Sequence, residues 1–97
     1  MNIEETVKNI KRLHAALTTK NNEVTIIYRG TEYGTKNNPW LVRIDAHEAT
    51  ASTQDIAVAQ LYKQLEDEIQ KRIAFTASQT ESLRSTLSEV IQSHESN

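Results

Sequence analysis

From Ser52 to His94 the chain holds neither glycine nor proline, and apolar residues recur at helical spacing along most of that length. An unbroken helix over Thr53–Ser93 would measure roughly 60 Å at 1.5 Å per residue. A compact chain of 97 residues has a radius of gyration of only about 13 Å. Such a rod would leave its own domain and need a partner, so where it breaks matters most. Phe75-Thr76-Ala77-Ser78 has lower helix propensity than its flanks, and Ser78 with Glu81 three positions on matches a capping box. We expect two helices, divided near residues 75–79.

The first of these opens at Ser52 or Thr53, with Ile56, Ala59, Leu61, Tyr62, Leu65, Ile69 and Ile73 as its apolar stripe. The second, Gln79–Ser93, carries Leu83, Leu87, Val90 and Ile91 on one side. Tyr62, Ile69, Thr76, Leu83 and Val90 repeat every seven residues, an imperfect coiled-coil seam interrupted by polar Thr76. The polar tail at 93–97 is expected to fray.

Ahead of this block the patterning changes twice. Residues 2–19 read as a helix with Ile3, Val7, Ile10 and Leu17 on one stripe and Leu13 and His14 beside it; Asn21 and Asn22 supply the left-handed stop. Glu23–Arg29 then alternates as a strand, with Val24, Ile26 and Tyr28 on one face and Thr25, Ile27 and Arg29 on the other. Both glycines and the single proline fall within ten residues, bracketing a short return strand at Thr31–Tyr33 and the loop Thr35–Pro39. Alternation resumes at Trp40–Ala46, and His47–Ala51 reads as a connection. The predicted fold is therefore α+β: an N-terminal helix, a three-stranded antiparallel sheet and two C-terminal helices, in the order α-β-β-β-α-α. Residues 1–75 form the small domain, and 76–97 a helix with no evident place in it.

A chain this short buries only about 60% of its unfolded surface. With 37% hydrophobic residues and no cysteine, its core is thin. Self-association through Leu83, Leu87, Val90 and Ile91, as a dimer or higher homo-oligomer, would supply the missing apolar surface. The missing cysteines exclude disulfides, thiol nucleophiles and cysteine-based zinc sites. No apolar run is long enough for a signal peptide or a membrane span, so the expected location is cytoplasmic.

Asp45-Ala46-His47-Glu48 comes nearest to a catalytic or metal cluster, but a metal needs three or four converging ligands, and His14 is the one other histidine expected in the core. No nucleophile motif and no glycine-rich phosphate loop is present. The sequence therefore points to a non-enzyme without cofactor or metal. Arg29, Arg43 and His47 on one sheet face, with Tyr33 nearby, form a candidate surface for a protein partner or, alternatively, for an anionic small molecule or nucleotide. Trp40 reads as core.

The order helix–strand–strand–strand–helix is similar to that of double-stranded-RNA-binding domains. That family places lysines at the start of its last helix, whereas this chain has Ser52-Thr53-Gln54-Asp55 and no basic residue until Lys63. Phosphates would find no counter-charge there, and Lys8, Lys11 and Arg12 alone would have to carry nucleic-acid binding. The expected function is a protein–protein interaction module that assembles through its C-terminal helices. In size and composition it is similar to the small inhibitors and adaptors encoded by phages and other mobile elements.

Overall fold

The computed structural model describes residues 2–30, 37–75 and 80–95. The order of elements is α1 (Ile3–Thr18), β1 (Thr25–Tyr28), β2 (Trp40–Ile44), β3 (His47–Ala51), α2 (Gln54–Phe75) and α3 (Thr80–Glu95). The α-β-β-β-α-α arrangement is as expected, and the long helical block does divide between residues 75 and 80. The Thr31–Tyr33 strand and the Ser78 capping box lie outside the described residues.

The three strands form an antiparallel sheet in the order β1-β2-β3, but its third member is not the one expected. His47–Ala51, read as a connection, is β3, and the strand expected to run on to Ala46 stops at Ile44. Ile44 pairs with His47, leaving Asp45 and Ala46 as a two-residue hairpin loop. Asp45 takes the left-handed conformation there (φ 54°) while Ala46 does not, the pattern of a turn with positive φ at its first loop position. The segment has no β-branched residue before Thr50, so propensity gave no strand signal; pairing with β2 and cover by α2 decide it.

The pairs Ile26–Val42–Ala49 and Trp40–Ala51 put Val42, Ala49 and Ala51 on one face, where they join the core with Ile10, Leu13, Leu17, Val58, Leu61, Leu65 and Ile69. Trp40 is half-buried at the edge of that core and meets the Tyr28 ring at 5.0 Å. Helix α2 lies over β2 and β3, capped at its start by the Thr53 hydroxyl, which accepts from the Ile56 N–H at 3.2 Å. Its buried stripe includes Ala57 and Val58, whereas Ile56, expected inside, is 45% exposed.

Helix α3 returns along α1 and α2 instead of projecting. The Ser93 hydroxyl donates to Glu5 at 2.6 Å and Arg12 pairs with Glu89 at 2.7 Å, so α1 and α3 run antiparallel. At the far end the His94 ring stacks on Tyr62 at 4.4 Å, so residues 93 and 94, expected to fray, are held. Leu87 and Val90 are buried, with Leu83 and Ile91 packed beside them. The expected division at residue 76 thus gives way to one shared core. Helix α1 is capped by Asn2, whose side chain accepts from the Glu5 N–H. It ends on Thr19 at φ 61° instead of on the expected asparagines.

Candidate interaction surface

Strand β1 carries Thr-Ile-Ile-Tyr without a charge or proline, and its principal neighbour is β2. The Arg29 N–H donates to the Pro39 carbonyl at 2.7 Å, immediately beyond the Tyr28–Trp40 pair. Antiparallel ladders alternate residues that bond across with residues that face away. Hence Arg29, Ile27 and Thr25 turn their peptide groups toward β2, while Ile26 and Tyr28 turn theirs outward. The opposite edge of the sheet is different: in a two-residue hairpin the Glu48 carbonyl faces away from β2, and the Gln64 amide of α2 donates to it at 3.0 Å. Among the described residues nothing caps the β1 edge, and with Tyr28 62% exposed and Ile27 37% it is also apolar. A Cβ on Gly30 would strike the Tyr28 phenol ring, so glycine at that position lets the ring lie back over the turn.

On the sheet face away from the helices lie Thr25, Ile27, Leu41, Arg43, Glu48 and Thr50, as the strand pairing dictates. Arg43 belongs to this face, but its guanidinium is bound to Glu48 through two nitrogens at 3.0 and 3.2 Å. His47 does not belong to it. Its pairing with Ile44 puts it on the helix side, so the expected cluster of Arg29, Arg43 and His47 is not assembled. Tyr33 lies outside the described residues.

His47 instead joins a second group that sequence spacing could not reveal, because three of its members come from other elements. Its Nε2 lies 2.7 Å from the Glu68 carboxylate of α2, and its ring meets that of the fully buried His14 edge-on, with centroids 6.0 Å apart. His14 Nε2 is 3.6 Å from Asp45, beyond hydrogen-bond reach. A shallow cleft of about 470 Å³, lined by His47, Gln64, Asp67, Glu68 and Lys71, opens alongside. The remaining ring nitrogen of His47, Nδ1, is buried and unpaired, so no spare imidazole nitrogen is presented to solvent. What the pair does is tie β3 to α2. Among the described residues no group of three or more histidine or carboxylate side chains could hold a metal ion.

Two of the three basic residues of α1 are paired, Lys11 with Glu23 at 3.0 Å and Arg12 with Glu89 at 2.7 Å. Leu83, Leu87, Val90 and Ile91 face α1 and α2 of their own chain. No described helix is long and apolar enough to cross a membrane. The chain matches no protein-family model, and neither a curated protein nor a solved structure matches it.

Proposed function

We propose that this protein is a non-enzymatic protein-interaction module that docks through its sheet, at the open edge of β1, instead of through its C-terminal helices. The observation that carries this reading is the contrast between the two sheet edges. The β3 edge is stoppered by Gln64, whereas β1 offers the outward peptide groups of Ile26 and Tyr28 beside two exposed apolar side chains. Unpaired edges are ordinarily blunted by lysine, proline or a bulge, and β1 has neither lysine nor proline. Strand addition draws affinity from main-chain hydrogen bonds and specificity from alternate side chains. A short chain acting this way in the cytoplasm would serve as an inhibitor or adaptor by completing another protein's sheet.

The test is a photo-crosslinking residue in place of Tyr28, in the full chain in its native cell, with Arg84 on the exposed side of α3 as the comparison site. An adduct with a polypeptide is expected from position 28 and none from position 84. Adducts from 84 alone, or from neither, contradict the proposal.

A further inference from the structure

We propose that the strand received by β1 is β1 of a second copy, paired antiparallel about a two-fold axis at Ile26, so that two three-stranded sheets become one of six strands. This rests on the reading of β1 as the docking edge and names its occupant. Ile26 faces away from β2, so two copies can exchange both hydrogen bonds at Ile26 opposite Ile26, the geometry at the centre of an isologous antiparallel pair.

That register aligns the side chains in a self-complementary way. Tyr28 falls opposite Val24 of the second copy, and Val24 opposite its Tyr28, giving two aromatic–β-branched cross-strand pairs on either side of the isoleucines. Val24 and Ile26 already pack against the core from its margin, so the row extends each core toward the other. At the ends of the strand, Glu23 of one copy falls opposite Arg29 of the other; Glu23 already holds Lys11 of its own chain at 3.0 Å, but with its side chain 83% exposed its carboxylate can also approach a second copy. Helix α2 covers β2 and β3, and a two-fold axis perpendicular to the sheet keeps the α2 helices of the two copies on one face with both β1 strands between them.

Light scattering on the full chain tests the proposal. At high micromolar concentration the mass should be twice the 11.0 kDa of one chain. Tyr28→Lys, at an exposed position with circular dichroism to verify the fold, should return it to one chain. Because the protein has no cysteine, oxidation of Thr25→Cys/Ile27→Cys reports the register: these positions are opposed across the axis, and a disulfide-linked dimer should form. Ile27→Cys alone should not link. A monomer at every concentration, a dimer indifferent to Tyr28→Lys, or linkage through Ile27→Cys alone overturns the proposal. A monomer that still yields an adduct with a different polypeptide from position 28 removes the second copy as occupant and leaves the docking edge intact. A monomer with no adduct removes both.

Discussion

Thr19 closes α1 in the left-handed conformation, which is costly for a β-branched residue because its Cβ crowds the following carbonyl. Its N–H nonetheless donates to the Ala15 carbonyl at 2.8 Å, completing the helix stop. Thr19→Gly should keep that bond and relieve the strain, raising stability by about 0.5–1 kcal/mol after the greater unfolded-state entropy of glycine is allowed for. A urea midpoint that falls would contradict this. Asn9 is a second residue out of keeping with its surroundings. It is fully buried, toward the side of α1 that carries the Glu5 and Arg12 contacts to α3, and neither amide atom has a hydrogen-bond partner. Desolvating such a group costs about 1–3 kcal/mol, so Asn9→Leu, of similar outline, should raise the denaturation midpoint. Neither residue stands out in the sequence: an asparagine at position 9 reads as solvent-facing, and a threonine as an ordinary C-terminal position. Only the return of α3 along α1 buries the first.

Among the elements, α3 shows both what patterning reveals and what it leaves open. Leu83, Leu87, Val90 and Ile91 identify an apolar stripe, yet a stripe carries no information about which surface covers it. The covering surface is in the same chain, and the cues for it are separated by more than seventy residues: Arg12 with Glu89, Glu5 with Ser93. Leu87→Asp should therefore unfold or loosen the core, at a cost above about 3 kcal/mol for burying a carboxylate without a partner, with loss of thermal stability. Unchanged stability with a lower solution mass would instead place the stripe between chains. At the start of α1, Asn2→Ala should cost about 1 kcal/mol through loss of the cap to Glu5, read from the same melt. Strand β3 was illegible for a different reason. His-Glu-Ala-Thr-Ala has poor strand propensity, and its identity comes from the hairpin at Asp45 and from two α2 contacts, His47 to Glu68 and Glu48 to Gln64. Misreading β3 as a connection also misplaced His47, because a residue assigned without its pairing partner has no fixed sheet face.

For the molecule as a whole, the thin core foreseen from composition is met by the two C-terminal helices packing in cis, and among the described residues the β1 margin of the sheet has no strand or helix beside it on its outer side. Fold class followed from apolar spacing and from the glycines and proline that punctuate the sheet, and helix extents from capping residues, polar stops and a dip in helix propensity. The proposed docking edge did not, since an edge strand is defined by the absence of a neighbour, and no residue pattern encodes that. Helix α3 is thus closed against its own chain, whereas the proposed docking edge at β1 is open until a second strand arrives. Residue-resolved hydrogen exchange, measured in dilute and in concentrated solution, tests both at once. The amides of α3 from Leu87 to Ile91 should be equally protected at both concentrations, while the outward amides of Ile26 and Tyr28 should exchange freely when dilute and become protected when concentrated. Protection of α3 that appears only on concentration, with β1 unchanged, would contradict the account.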